Sequence, residues 1–265
     1  MVLWLLACAL ALLPLDDAGA RGGDGAARHE ERMLADINDE RERRGLRPLR
    51  RDEHLDQAAA DHTRRMARAR RLAHQLRGEP NLRTRIAATG LRFSTVGENV
   101  GYSTRVEDLH PNLMRSRGHR AHLLSSKYDA IGLAIARSDE RFYVTQTFAR
   151  RTSNVSAAQA ERAFAEAIAD ERRRRRLPSA PVDATPALRD AACAMAKRDD
   201  LDPKRVPNLP AQRKVIVFTT FEPGELERGA LELAIDPDLG RVTFGVCHRE
   251  TRSYPSGVFW FAVAY

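Results

Sequence analysis

The stretch Val96-Gly97-Glu98-Asn99-Val100-Gly101-Tyr102 places a carboxylate and an amide inside a short apolar run with a glycine near each end. Such a run predicts a short strand or loop, and its carboxylate needs a partner because an unpaired buried charge is costly. Candidate partners lie on both sides. His74 closes a basic helical segment upstream, and His119 leads into a helix-like stretch downstream. Two imidazoles and one carboxylate brought together would form a polar site within an apolar core.

The segments around this stretch alternate between helical and strand patterns. Apolar residues recur at helical spacing in the helical segments, and Asp52 can cap the second of them. The predicted helices cover residues 29–44, 54–70, 82–89 and 108–117, and the predicted strands cover residues 130–136 and 142–148. This mixture predicts an α+β class.

The second half of the chain repeats the first half weakly. Residues 165–172 match residues 34–41 in character, and residues 188–193 match residues 55–60. A strand pair at the end of the chain repeats the strand pair that precedes residue 149. The second copy is shorter in its middle, which is where the first copy carries Glu98 and His119.

Charge and composition limit the kinds of partner that the protein can bind. The chain has 265 residues, a net charge of +8 and a charged content of 30%, which is rich in arginine. A basic balance favours anionic partners such as envelope polymers, lipid headgroups or nucleic acid. Because no aromatic residues are interleaved with the basic ones, a solvated surface is the simpler interpretation, and no specific nucleic-acid binding is expected. The arginine run 172–176 is interpreted in the same way, as a solvated helix end.

The N-terminus predicts export. Residues 2–15 are almost all apolar, too short to span a bilayer but suited to a signal peptide, and Ala18-Gly19-Ala20 is a small-residue cleavage pattern. We therefore expect a signal peptide at 1–20, a disordered leader at 21–28, and a secreted or periplasmic mature protein. Cys8 would leave with the signal peptide. Cys193 and Cys247 would remain, either as a disulfide or as two buried thiols.

An ordered set of motifs over residues 30–149 resembles the CAP superfamily (cysteine-rich secretory, antigen 5 and pathogenesis-related proteins), in its short bacterial SCP-like form. The motifs are Ala59…His62…Met66…His74, Arg85…Gly90, Gly97-Glu98-Asn99-Val100, Ser116…Gly118-His119-Arg120, Tyr128 and Gln146…Phe148. The resemblance implies a three-layer α-β-α sandwich around a twisted antiparallel sheet at 29–152. A smaller, degenerate CAP-like α+β domain without the site is then expected at 155–265.

The resemblance also implies a cavity. His74 and His119 match the two histidines of the family, and Glu98 matches its first acid. Ser116 stands where the second acid is expected, which weakens a mechanism based on two carboxylates. Two further positions depart from the family pattern, since Leu113 replaces an aromatic residue and His122 replaces an asparagine.

Two interpretations of this cavity stay open at the level of sequence. Neutral imidazoles at His74 and His119, beside Glu98, suit zinc or another divalent cation, and His122 could add a ligand from the same helix face. Alternatively, the same groups form hydrogen bonds that only stabilise the fold. Among the other histidines, His62 is expected to be a satisfied core residue, whereas His122, His110 and His54 are expected to be solvated.

Three functions are compatible with these residues. The leading one is a non-enzymatic extracellular module that binds an apolar small molecule or an envelope component, with an optional divalent ion. The second is a metal-assisted hydrolase in which Glu98 is the candidate general base. The third is a structural adhesion module for anionic polymers. No serine-nucleophile, phosphate-loop or zinc-protease motif occurs, the membrane is involved only through the signal peptide, and the oligomeric state is left open.

Overall fold

The structure is a computed structural model that describes residues 18–205 and 214–265. None of the helices in these two ranges has the length and apolarity that crossing a bilayer requires. Most of the predicted signal peptide, together with Cys8, lies outside the described residues.

The first module covers residues 18–152 and holds one four-stranded sheet. Its helices are α1 (Ala18–Glu42), α2 (Glu53–Ala69), α3 (Leu82–Ala87), α4 (Leu109–Arg115) and α5 (Arg117–Leu123), with a 3-10 turn at Val106–Asp108. Its strands are β1 (Arg50–Arg51), β2 (Phe93–Ser103), β3 (Ala130–Ser138) and β4 (Arg141–Arg151). The strand order is β1-β3-β4-β2, with every neighbouring pair antiparallel except the short β1, which runs parallel to β3.

Helices cover both faces of this sheet. Successive residues of a strand point to opposite faces. Accordingly, Ala130 of β3 packs with Leu55 of α2, whereas Ile131 packs with Ile37 of α1 and Leu123 of α5. The predicted three-layer α-β-α sandwich is confirmed, apart from the parallel β1.

Helix α2 fits closely against the sheet. Asp52 caps it by accepting hydrogen bonds from the main-chain N–H groups of His54 and Leu55, as the sequence predicts. At Gly132 a side chain would place its Cβ only 2.1 Å from the carbonyl carbon of Leu55. A glycine is therefore required where the helix crosses β3.

Two predicted segments differ from the structure. The predicted helix 108–117 is divided, because Ser116 adopts an extended backbone between α4 and α5. Residues 21–28, predicted as a disordered leader, lie inside α1. Once the part of α1 around Met33 is packed, each added residue gains a hydrogen bond at little further cost, so the helix extends toward the N-terminus.

The second module covers residues 155–265 and has its own sheet. Its helices are α6 (Ala157–Arg174), α7 (Pro186–Arg198) and α8 (Arg228–Ala234), with a 3-10 turn at Pro203–Arg205. Its strands are β5 (Val182–Ala184), β6 (Val215–Thr220), β7 (Val242–Arg249) and β8 (Val258–Ala264). The strand order β5-β7-β8-β6, with β5 parallel to β7, is the order of the first sheet. Gly245 also repeats Gly132, since a Cβ there would meet the backbone of Leu188 and Arg189.

A buried arginine also recurs in both modules. Arg41 donates from Nη1 to the carbonyl oxygens of Leu123 (2.7 Å) and Ser125 (3.0 Å), where α5 ends. Arg172 donates in the same way to Ala234 (3.0 Å) and Asp236 (2.8 Å), where α8 ends. Arg172 is 2% exposed, so the interpretation of the whole run 172–176 as a solvated helix end is wrong at its first residue. The helix-end carbonyls lack partners within the helix, and the guanidinium supplies them.

The two remaining cysteines form a disulfide. Cys193 of α7 is bonded to Cys247 of β7, with a Cα–Cα distance of 5.0 Å. The bond joins the helix of the second module to its sheet. Of the two alternatives left by the sequence, the structure therefore supports the disulfide.

The modules meet at Arg92, just before β2. Its Nη1 donates to Oδ1 of Asn154 (2.9 Å), and its guanidinium lies 5.5 Å from the ring centroid of Phe259 in β8. Arg92 also contacts the imidazole of His248. Nearby, the Ser256 hydroxyl donates to the Phe93 carbonyl at 3.0 Å. The junction is thus formed by specific contacts between the two sheets.

Candidate functional site

A cavity of about 380 Å³ opens beside β2 in the first module, where the loop after α2 and the helices α3 and α5 approach the strand. We call it the imidazole cavity. It is lined by His74, Gln75, Leu82, Gly97, Glu98 and His122. Two of the predicted site residues, His74 and Glu98, therefore lie in one cavity.

Glu98 is buried on β2, and both of its carboxylate oxygens are occupied. Its Oε1 is 3.0 Å from Nδ1 of His74, and its Oε2 accepts a hydrogen bond from Nη2 of Arg85 at 2.8 Å. The side chain of Glu98 is 3% exposed, whereas that of His74 is 62% exposed. The carboxylate is thus an internal anchor, and the imidazole faces solvent.

Gly97 is required next to this carboxylate. A Cβ at position 97 would lie 2.3 Å from the hydroxyl oxygen of Tyr128. The Tyr128 ring is buried and stacks on Phe148, with ring centroids 5.4 Å apart. The Gly97-Glu98 pair therefore lets an aromatic ring approach the strand directly beside the site.

Arg85 and Glu79 form a buried polar network under the cavity, which the sequence alone did not predict. Arg85 also donates from Nη1 to Oε1 of Glu79 (3.1 Å) and from Nη2 to the His74 carbonyl (3.1 Å). Burial raises the pKa of Glu79, but the Leu76 N–H, His62 and Arg85 outweigh it and hold that pKa below its usual value. One guanidinium therefore joins two buried carboxylates. Arg85 appeared in the sequence only as part of the family pattern, with no role assigned to it, and Glu79 carried no such signal.

His62 is a satisfied core residue, as predicted. Its Nδ1 is 2.8 Å from Oε1 of Glu79, and its Nε2 is 2.9 Å from the carbonyl of Ala73. The imidazole is fully buried. It holds the loop that leads to His74.

A second buried network positions α5. The amide of Asn99 donates to Oε1 of Gln146 (2.9 Å) and to the carbonyl of His119 (3.1 Å). Its Oδ1 is 2.9 Å from Nδ1 of His122. Gln146 in turn donates to the Met33 sulfur at 3.3 Å. The Asn99 side chain therefore fixes two successive turns of the short helix.

The positions of His122 and His110 differ from the sequence prediction. Both were predicted to be solvated, but both are half-buried, as is His54, for which the same prediction was made. Burial lowers the pKa of His122, a backbone group of Glu98 opposes this, and His74 lowers it further. Burial likewise lowers the pKa of His110. The short α5 turns His122 toward Asn99, an orientation that its spacing from His119 alone did not predict.

His119 lies near the cavity without touching Glu98. Burial lowers its pKa first, and the nearby His74 and His122 lower it further. Within the described residues its imidazole forms no hydrogen bond, and only its main-chain carbonyl is used. Ser116 precedes α5, and its hydroxyl does not cap the helix. The structure thus joins His74 to Glu98 and brings His119 near His74, but it shows no contact from Ser116 to these groups.

The donor set fits a divalent cation poorly. In the described ranges no group of three or more histidine, cysteine, aspartate or glutamate side chains is arranged to hold a metal. Both oxygens of Glu98 are engaged, one by a guanidinium whose positive charge would repel a cation placed there. We therefore derive no step through a metal. What this arrangement offers a ligand is three imidazoles, of which His119 and His122 have lowered pKa values that favour the neutral form.

Part of the chain matches a known protein family. Residues 34–148 match the family described as "CAP: Cysteine-rich secretory protein family". An uncharacterized protein of Bacillus subtilis (strain 168), YkwD, is 27% identical over 111 residues, covering 42% of this chain and 43% of that protein. The chain thus spans less than half the length of this curated relative.

Solved structures give two further similarities. An extracellular protein with an SCP domain from Bacillus anthracis shares 22% identity at a TM-score of 0.46, covering 54% of this chain and 45% of that one. An outer surface protein from Borrelia burgdorferi shares 19% identity at a TM-score of 0.45, covering 47% of this chain and 93% of that one.

Proposed function

We propose that the imidazole cavity binds a component of the cell envelope without chemically changing it. The cavity lies in the part of the chain, residues 34–148, that belongs to the CAP family. The observation that carries this proposal is the hydrogen bonding of the Glu98 carboxylate. A general base needs a carboxylate oxygen within reach of the proton that it removes. In this cavity both oxygens already accept hydrogen bonds from the protein.

The surroundings of the cavity favour a ligand with both an acidic and an apolar part. Leu82 and Gly97 supply apolar surface, and the imidazoles supply hydrogen-bonding groups. Arg71 and Arg77 are exposed on the loop that carries His74. Cationic side chains around an opening attract anionic ligands and hasten their encounter. Anionic envelope lipids combine both features, and anionic wall polymers supply the acidic one.

We also propose that the protein acts outside the cytoplasm. The apolar residues 2–15 and the small residues 18–20 have the pattern of a cleaved signal peptide. The disulfide between Cys193 and Cys247 is typical of proteins from oxidising compartments. N-terminal sequencing of the exported protein should find a chain that begins near Arg21, and an intact Met1 on cytoplasmic protein would contradict export.

The binding proposal is tested by sedimentation with two probes, purified cell-wall sacculi and vesicles containing phosphatidylglycerol. His74→Ala and His122→Ala should each weaken binding, whereas His54→Ala, in another part of the module, should not. Binding that depends only on ionic strength, with no effect of either histidine, would instead favour the adhesion alternative.

The hydrolase alternative is addressed in the same samples. Soluble products released from either probe, and lost in Glu98→Gln while the thermal transition is retained, would overturn the non-catalytic proposal. We expect no release from the wild-type protein beyond that of a sample without protein.

A further inference from the structure

A cavity of about 520 Å³ lies where the two modules meet, and it is larger than the imidazole cavity. We call it the junction groove. Thr95, Lys127 and Arg150 line its first-module wall, and Thr220, Glu222 and Glu225 line its second-module wall. Ligand sites occur preferentially at such interfaces between structural units.

The two walls of the groove carry opposite charges. Lys127 and Arg150 are exposed on one side, Glu225 is exposed on the other, and Glu222 is half-buried there. Asp129 also lines the cationic wall, but it lies 3.7 Å from Arg151. Within the described residues no ion pair joins the two walls. Opposite charges that face a shared space without pairing leave room for a ligand that carries both signs.

The carboxylates of the acidic wall repel each other. Burial raises the pKa of Glu222 and the neighbouring Glu225 raises it further, while a backbone hydrogen bond from Ser153 opposes them. A ligand ammonium group placed between these carboxylates would relieve their repulsion.

Strand edges point to a peptide as the ligand. β2 and β6 each lie at the edge of their sheet, and they contribute Thr95 and Thr220 to the groove. The pairing of β2 with β4 is irregular between Phe93 and Thr95, so the ladder is interrupted beside the groove. Edge strands present unpaired main-chain groups, which an extended peptide can use for hydrogen bonds.

The walls are held in place by the contacts of the junction. Arg92 bonds to Asn154 and lies on the Phe259 ring, and the Ser256 hydroxyl bonds to the Phe93 carbonyl. A groove whose walls are already fixed requires less ordering when a ligand binds.

We propose that the junction groove binds a short peptide that carries charges of both signs, with its carboxylate toward Lys127 and Arg150 and its ammonium toward Glu222 and Glu225. This site shares no lining residue with the imidazole cavity. It does not depend on the function proposed for that cavity.

The test is calorimetric titration of the full chain with the peptide Lys-Ala-Ala-Ala, which has free termini, at low and moderate salt. The comparison ligand is acetyl-Ala-Ala-Ala-Ala amide, which has no charge. We expect the charged peptide to bind at least about tenfold more tightly, with an affinity that falls as salt is added. Equal affinity for both peptides would overturn the proposal, and so would inorganic phosphate binding as tightly as the charged peptide.

Variants of both walls sharpen the test. Lys127→Gln and Glu225→Gln should each lower the affinity for the charged peptide roughly tenfold, which is the usual effect of losing one charge-assisted contact. Arg105→Gln and Glu232→Gln, at exposed charges outside the groove, are the matched controls. His74→Ala should leave the affinity unchanged, which separates this site from the imidazole cavity. An unchanged affinity in either wall variant, or an equal loss in the controls, would contradict a groove that uses both walls.

Discussion

The two modules share the same order of strands and differ in the residues that fill the interior. In the first module Asn99 on β2 is paired with Gln146 on β4, and their side chains form a buried hydrogen-bonded network with Met33. In the second module the corresponding strands pair Phe218 with Phe261. The same positions in the two sheets are thus polar in one module and aromatic in the other.

The aromatic side is a packed core. The Phe218 and Phe261 rings are stacked with centroids 4.9 Å apart, and Phe164 of α6 lies 4.9 Å from Phe261. Val217 pairs with Ala262, as Glu98 pairs with Thr147 in the first module. In the first module the buried polar groups hold the imidazole of His122 and the short helix α5 in place, whereas aromatic residues fill the same positions of the second module. A fully satisfied polar network specifies geometry, whereas an aromatic core supplies stability.

Exchanging these two cores should have the largest effect. Phe261→Gln removes a fully buried ring and leaves an amide without partners, so we expect a loss of about 4–5 kcal/mol. Gln146→Phe should cost less, about 2–3 kcal/mol, since it loses the bond to Asn99 and overpacks the site. Urea unfolding of both variants measures the difference. A larger loss of unfolding free energy from Gln146→Phe than from Phe261→Gln would contradict this distinction between the two interiors.

Removing the disulfide should affect the second module alone. Cys193→Ser with Cys247→Ser should lower its unfolding free energy by about 4 kcal/mol, because the bond closes a long loop. In the protein that begins near Arg21, Trp260 is the one tryptophan, and its fluorescence reports on this module. Near-ultraviolet signals from Tyr102, Tyr128 and Tyr143 serve as the control for the first module. An equal shift in both reporters would show that the modules unfold as one unit.

The buried arginines should behave alike in both modules. Arg41→Met and Arg172→Met each remove donors from buried carbonyl groups, and we expect about 3 kcal/mol for either. Arg43→Met, at an exposed position next to the helix that carries Arg41, is the matched control. If only one of the two buried variants lost stability, the scaffold would not be equivalent in the two modules.

Acid should weaken the second module through His248. Burial and then Arg92 lower the pKa of His248 to about 4. Its unfolded value is near 6.5, so the unfolded chain takes up the proton first. The contribution of this group is therefore complete above about pH 6.5 and is lost as the pH falls toward about 4. The charged groups around His248 are Arg92 and its neighbour Glu250.

Urea midpoints at several pH values, compared between wild type and His248→Gln, isolate this contribution. The variant should show a shallower fall in stability over the same range. His119 and His122, whose pKa values are also lowered, should give the first module a fall of the same sign. Parallel pH curves for wild type and His248→Gln would contradict the role of His248.

Elements with strong periodicity were predictable from the sequence. Asp52 and the apolar face of α2 predicted that helix. The run 96–102 around Glu98 predicted a short strand or loop, and it lies in a longer strand, β2, which begins at Phe93. The pairing of His74 with Glu98 followed from the family pattern.

The partners of these groups were not predictable. Arg85 belonged to the family pattern without an assigned role and lies on a helix of six residues, and Glu79 lies between two predicted helices, so nothing in their spacing indicated burial. A charge becomes visible as a site residue only through its three-dimensional neighbours. His122 shows the same limit, because its half-buried position depends on how α5 turns after the extended Ser116.

The contact of Arg41 with the end of α5 also affects the order of folding. It joins positions 82 residues apart in the chain, so the final position of α5 depends on the docking of α1. Contacts between distant parts of a chain form slowly. We therefore expect the loops and short helix that carry the imidazoles to mature late during refolding. Pulsed hydrogen exchange should find the amides of α5 protected no earlier than the packed part of α1, and earlier protection would exclude this order.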